Sequence, residues 1–360
     1  MLFKKHETKK YYESLNGMLD RFGRYAVRDR FTGNTVEELK AWQERERKSL
    51  TGITGLDKLL EGGSGSDDYH DIWIETSRVS ISDGIIRIRA VFRVDEYTYM
   101  PMIVLEPGSE SKGTCLCPAG HQGGGKESVA GVRDIRSISD KIDFFNYDYG
   151  LKLAKMGYTA ICPDQRGFGE RRESADQGDS DEKLLGCSCR NIANMAIPMG
   201  LSVIGLCTFD YIRLIDYLEK SGRYDVSGLR CVGFSGGGMQ ALYLAALDPR
   251  VSKVFISGYM YGVRDSLMIL NNNCSCNYIP GLWEHLDMGD IAMLIAPRPL
   301  LIQSCSEDHL NGPRGLENVY EQIGIIKKAY TLFGAEDALT HDIRPGGHHF
   351  HDEPLGDWIE

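Results

Sequence analysis

Ser235 stands at the centre of Gly233-Phe234-Ser235-Gly236-Gly237, between an apolar run with strand character, Leu229 to Val232, and one with helix character, Met239 to Leu247. A serine held between glycines at a strand-to-helix turn has its hydroxyl lifted clear of the sheet edge, because the backbone passes too closely there for larger neighbours. The chemistry that such a hydroxyl can do is acyl transfer. It needs a base to take the serine proton and an acid to orient that base. A glycine-rich turn with no chemistry is the competing reading, so the partners decide the matter.

Candidates follow the serine in the order acid, then base. The apolar strand Leu300-Leu301-Ile302 runs into Ser304-Cys305-Ser306-Glu307-Asp308-His309, which delivers a carboxylate to the end of a strand. Asp308 is the expected acid, with Glu307 as the alternative if the turn is displaced by one residue. Gly346-Gly347-His348-His349-Phe350-His351 provides the base, His348, on a loop that two glycines allow to bend sharply. The histidine run also admits a surface reading and a zinc reading through His348, His349, His351 and Asp352, but that spacing matches no common zinc motif. An oxyanion needs two backbone N–H donors. Gly236 supplies one by position, and Gln122 and Gly123, in the glycine-rich loop after Thr114 to Cys117, are the candidates for the other.

Two other patterns compete with this chemistry. Gly120-x-x-x-x-Gly125-Lys126 follows most of a phosphate-binding loop, but Glu127 stands where the magnesium-binding Ser or Thr is required. Cys115/Cys117, Cys187/Cys189 and Cys274/Cys276 are Cys-x-Cys pairs. The first belongs on one face of a strand, where packing accounts for it. The other two pairs sit on loops and could combine into a four-thiolate zinc site. Their spacing is shorter than the usual C-x2-C, so free thiols are the expectation, with neither a metal nor another cofactor.

Composition narrows the classes. The 360 residues are 42% hydrophobic and 26% charged, enough for one large core or a core with an extension. A net charge of -10 and no long basic cluster argue against a nucleic-acid partner. No stretch reaches membrane-spanning length, and Met1 to Glu7 is not followed by the apolar run of a secretory signal, so no membrane partner and a cytoplasmic location are expected. Ten cysteines in such a chain are too sparse for a disulfide scaffold.

The elements that must position these residues can be read from periodicity. Residues 1–62 read as helical, with Asn34 or Thr35 as a cap for the Val36 to Gln43 stretch, and Gly62 to Asp68 reads as a connection. The expected units are therefore an N-terminal helical extension, 1–68, and a catalytic domain, 69–360. Ile72 to Ile81, Ile85 to Val94 and Met100 to Leu105 alternate as strands, with Asp83-Gly84 favouring a tight turn between the first two. From Thr114 onward strands alternate with helices: Phe144 to Met156 and Ile204 to Leu218 as helices, and Tyr158 to Pro163, Leu229 to Val232, Val251 to Ser257 and Pro299 to Gln303 as strands. This predicts an α/β fold, a mixed, mostly parallel sheet with an antiparallel start and helices on both faces. The polar stretch 171–198 interrupts the rhythm and reads as a loop excursion near the site.

The assembled blocks resemble the α/β-hydrolase superfamily, and within it the acetyl xylan esterase-like and dienelactone-hydrolase-related branch. They are Gly120-His121-Gln122-x-Gly124-x-Lys126, Asp164-Gln165-Arg166-Gly167-Phe168-Gly169-Glu170-Arg171, Gly233 to Gly238, Ala246-Leu247-Asp248-x-Arg250-Val251, Cys276 to Gly281, Ala296 to Ile302, and Gly346-Gly347-His348. The stretch Trp42 to Arg45 is similar to that branch's N-terminal extension. The resemblance implies the α/β-hydrolase fold, Ser235 as nucleophile, Asp308 as acid and His348 as base, and acetylated sugars or short xylo-oligosaccharides as substrates. Dienelactone hydrolases use a cysteine nucleophile, so that activity does not carry over to Ser235. Family esterases acting on secreted polysaccharide are often exported, and the missing signal favours small esters. His121, Arg166, Phe168 and Tyr259 are placed at the pocket as candidates, with Arg171 and Tyr261 beside them, although tying loops together or packing is the stronger reading for the arginines and aromatics. The function expected is a serine esterase. A prolyl-oligopeptidase-type serine peptidase is the first alternative, weakened because the first hundred residues are too few for a β-propeller. A non-catalytic ligand-binding hydrolase fold is the second.

Overall fold

The computed structural model describes residues 13–62 and 72–360. The stretch Met1 to Glu7 and nearly all of the Gly62 to Asp68 connection, with the boundary drawn there, lie outside the described residues. Alternating apolar residues pair into a sheet of nine strands among the described residues: β1 (Trp73–Ser80), β2 (Ile86–Arg93), β3 (Tyr99–Glu106), β4 (Thr114–Leu116), β5 (Thr159–Pro163), β6 (Arg230–Phe234), β7 (Lys253–Ser257), β8 (Leu300–Cys305) and β9 (Leu339–Arg344). Their order is β1-β2-β3-β5-β4-β6-β7-β8-β9. The pairs β1/β2, β2/β3 and β3/β5 are antiparallel and the rest parallel, so the antiparallel start is as expected. Asp83 and Gly84 both take positive φ, 61° and 71°, and reverse the chain between β1 and β2.

Register explains how the sheet is covered. Neighbouring residues on one strand point to opposite faces, and the two faces carry separate cores. Leu116, Ile161, Cys231, Val254, Ile256 and Ile302 join one core, packed by the helices Val36–Thr54, Val203–Ser221, Gly236–Leu247 and Leu316–Phe333. Their neighbours Cys115, Ala160, Cys162, Val232, Phe255 and Leu301 join the other, under Arg136–Phe145, Tyr149–Lys155 and Leu355–Ile359. Helices therefore lie on both faces.

The N-terminal helices share the first of these cores. Thr35 caps Val36–Thr54 with a capping box to Glu38, and Leu39, Trp42 and Leu50 are buried in it. Gln43 donates from Nε2 to the carbonyls of Met293 (2.7 Å) and Ala296 (2.9 Å). Two expectations are corrected. Phe144 to Met156 is not one helix: Asn146 takes φ 58° and ends Arg136–Phe145, and Tyr149–Lys155 starts afresh. The 171–198 stretch is not a loop, since it holds the helices Asp181–Leu185 and Cys189–Ala196. Among the described residues no single helix is long and apolar enough to cross a membrane.

Candidate active site

Ser235 sits between β6 and the Gly236–Leu247 helix with φ 57° and ψ -121°. A non-glycine residue in such a conformation stores on the order of 1–3 kcal/mol of strain, held only when its surroundings fix it. Here the Ser235 N–H donates to the Ser257 carbonyl on β7 at 2.8 Å, and its carbonyl accepts from Met239 N–H at 2.9 Å. The glycines are sterically required. A Cβ on Gly233 would collide with the Gly237 carbonyl, and one on Gly237 with the Pro118 carbonyl.

The candidate acid and base follow neighbouring parallel strands. β8 ends at Cys305 and the chain turns so that Asp308, 5% exposed, caps the short turn His309–Asn311 through the Leu310 N–H at 2.9 Å. Its other oxygen, Oδ2, lies 2.6 Å from His348 Nδ1. The carboxylate against the imidazole is thus Asp308. Glu307 is held aside, its N–H donating to the Gly346 carbonyl at 2.8 Å. The His348 ring packs on Phe234 at 4.5 Å, in the residue next to Ser235. With Nδ1 engaged by Asp308, Nε2 is the ring atom left for proton transfer. The neighbouring histidines engage other partners: His349 Nδ1 lies 3.0 Å from the Phe144 carbonyl, and the His351 backbone N–H donates to Gln303 Oε1.

A cavity of about 710 Å³ opens over this arrangement, and Ser235, Gly236, His348, Gln122 and His121 all line it. Gln122, with φ 61°, lines the same cavity as Gly236. The loop is held from behind, since Tyr147 donates from its hydroxyl to the His121 carbonyl at 2.7 Å and Gln165 Nε2 donates to the Ala119 carbonyl. Gly123 does not line the cavity: it is buried against Ser128 and Tyr147. A second cavity, of about 620 Å³, runs beside the Leu15–Tyr25 helix and contains none of these residues.

The remaining pocket candidates divide. Tyr259 and Tyr261 line the cavity, and Tyr259 donates to Asn277 Oδ1 at 2.8 Å. Burial pushes both phenols well above the usual tyrosine range, which keeps them neutral hydrogen-bonding groups. Phe168 and Arg166 are corrections, for neither lines it. Phe168 is buried edge-on behind His121, ring centroids 4.9 Å apart. Arg166 and Arg171 both pair with the buried Asp210 at 2.7 Å and brace loops. Lys126, in the phosphate-loop lookalike, is buried between Asp164 (2.7 Å) and Glu170 (2.5 Å), where no phosphate could compete. Sequence reasoning missed Asn272, Asn273, Leu185, Gly186 and His309, which complete the wall. The polar run before Cys274 carried the signal, since polar loop residues beside a nucleophile shape pockets.

Residues 143–273 match the family model for the alpha/beta hydrolase fold. A solved structure titled as a "putative acetyl xylan esterase" from Bacteroides fragilis superposes with TM-score 0.72 over 98% of this chain and 86% of that one, at 16% identity. The chain has the α/β-hydrolase fold. Among other similar structures, a CE15 glucuronoyl esterase from Teredinibacter turnerae superposes with TM-score 0.61 over 93% of this chain and 86% of its own, at 15% identity. "Putative hydrolase YtaP" of Bacillus subtilis is 25% identical over 284 residues, 78% of this chain and 88% of its own.

Proposed function

We propose that this α/β-hydrolase is a serine esterase acting on small carbohydrate esters, with short acyl groups such as acetyl as the first choice. The observation that carries the proposal is the 2.6 Å contact of Asp308 with His348 beside a cavity that Ser235 also lines. In the reaction His348 Nε2 takes the Ser235 proton as Oγ bonds to the ester carbonyl carbon. The oxyanion accepts from the Gly236 and Gln122 N–H groups. As the tetrahedral intermediate collapses, the imidazolium gives its proton to the departing alkoxide, leaving an acyl group on Ser235. Water, deprotonated by the same imidazole, then attacks the acyl carbon, and the acid and free serine are restored.

The substrate class is supported by the cavity and by the neighbours. Asn272, Asn273, Asn277 and Tyr259 offer amide and hydroxyl groups suited to sugar hydroxyls, and Phe144 and Phe145 offer aromatic faces. The similar structures titled as acetyl xylan and glucuronoyl esterases point the same way. A panel of acetylated xylo-oligosaccharides, longer acyl esters, glucuronoyl esters and peptide anilides tests the reading. Hydrolysis of the acetyl sugars with the highest kcat/KM supports it. A preference for peptide anilides makes the protein a peptidase, and no turnover of any member makes it a binding protein.

A further inference from the structure

The two loop Cys-x-Cys pairs are brought together in the fold, beside the cavity and next to His121. Cys189 opens the Cys189–Ala196 helix, Cys274 and Cys276 flank the start of the short turn Ser275–Asn277, and His121 follows β4. Sγ of Cys189, Cys274 and Cys276 and a ring nitrogen of His121 all lie within 4.8 Å of one another. The Cys276 Sγ to His121 Nε2 distance is 3.4 Å, and Cys187 Sγ is 3.7 Å from Cys274 Sγ. All of these cysteines are free thiols.

From the convergence of these donors we infer that Cys189, Cys274, Cys276 and His121 form a tetrahedral site for a structural zinc ion. Three soft thiolates and one imidazole are a donor set that closed zinc sites use, with Zn–S bonds of about 2.3 Å and Zn–N bonds of about 2.0–2.1 Å. Those bond lengths place a sulfur and a nitrogen on one tetrahedral edge about 3.5 Å apart, close to the observed 3.4 Å. The sequence alone disfavoured a metal because each pair is one residue shorter than C-x2-C. That objection assumes that each pair chelates by itself. Here the ligands come from three segments distant in the chain, and Cys187 stands outside the mutually close set.

The position gives the ion a use. It would tie the helix that follows the Gly186-Cys187 wall to the Asn272–Cys276 loop and to the loop that carries Gln122, three parts of the cavity. Binding replaces three thiol protons by one divalent cation, with His121 neutral, and leaves the ion no open position for water. It plays no part in acyl transfer, so the inference stands or falls apart from the esterase reading.

The test is elemental analysis of the full chain, purified without a histidine tag from zinc-supplemented cells and passed through a weak chelator. About one zinc per chain is expected, released when an organomercurial blocks the thiols. Cys276→Ser and His121→Ala should each bring retained zinc to about a tenth or less, because losing a ligand weakens a closed site steeply. Cys187→Ser should keep it. Folded parent protein with no stoichiometric zinc overturns the inference, as does a mass deficit showing a Cys187–Cys274 disulfide in its place. Zinc lost from Cys187→Ser but kept by His121→Ala overturns the ligand set. If a variant does not fold, the parent's zinc content and its release by the organomercurial still decide.

Discussion

Asp308 and His348, 40 residues apart in the chain, meet at 2.6 Å because β8 and β9 are parallel neighbours whose following loops leave the sheet at the same edge. The pair is nearly closed to solvent, with side chains 2% and 12% exposed. A carboxylate so placed favours the tautomer with the proton on Nδ1, and in the proposed reaction it would stabilise the imidazolium.

Asp308→Asn should therefore lower kcat by on the order of 10⁴ with little change in KM, since the amide can favour the wrong tautomer. Glu307→Gln should stay within a few-fold of the parent, because its side chain is outside the pair. Steady-state kinetics on one chromogenic acetate compares both. Equal losses would return Glu307 to the role.

Gly237→Ala places a methyl against the Pro118 carbonyl, a backbone group that cannot swing aside. Something must shift in a region where strand and helix leave no slack, so a destabilisation of at least 1–3 kcal/mol, as for overpacking, is expected (roughly). Thermal melting reads it as a clear fall in Tm. An unchanged Tm would mean that the turn is looser than described.

Asp210 is fully buried and pairs with both Arg166 and Arg171. Asp210→Ala strands two guanidiniums near the core and should cost about 3–5 kcal/mol. Urea unfolding measures the change. A loss below about 1 kcal/mol would place these ion pairs in the class of surface bridges.

His341 on β9 has its pKa lowered from 6.5 to about 4, chiefly by burial and then by Lys327. Between those values the unfolded chain takes up a proton that the folded chain refuses, so stability falls as pH falls through this window. Fully developed, the loss is on the order of 3 kcal/mol. His341→Gln should fall by less over the same range, measured by urea unfolding at a series of pH values. Identical slopes for the two proteins would show that His341 does not carry the effect.

What could be read in advance follows local chemistry. The β6 turn was legible because Gly233 and Gly237 are forced by backbone crowding, and the Thr35 cap because its partner Glu38 is three residues away. The β9 strand was not, since Leu339-Thr340-His341-Asp342-Ile343-Arg344 is an edge strand with no strong alternation, and its place comes from pairing with β8. Arg166 and Phe168 were read from the sequence as pocket candidates and belong behind it, because the buried charge of Asp210 and the ring of His121 claim them. No local signal foretells partners that distant. Cys189, Cys274 and Cys276 illustrate the same limit: their spacing spoke against a shared site, and the fold brought them together.

The most direct test of the central claim is active-site labelling with a fluorophosphonate, followed by peptide mapping. One adduct per chain on Ser235, with activity lost in proportion and no labelling of Ser235→Ala, is the predicted result; that variant should also lose turnover by about a millionfold. An enzyme that stays active without an adduct on Ser235, or a Ser235→Ala variant that keeps full turnover, would contradict the account.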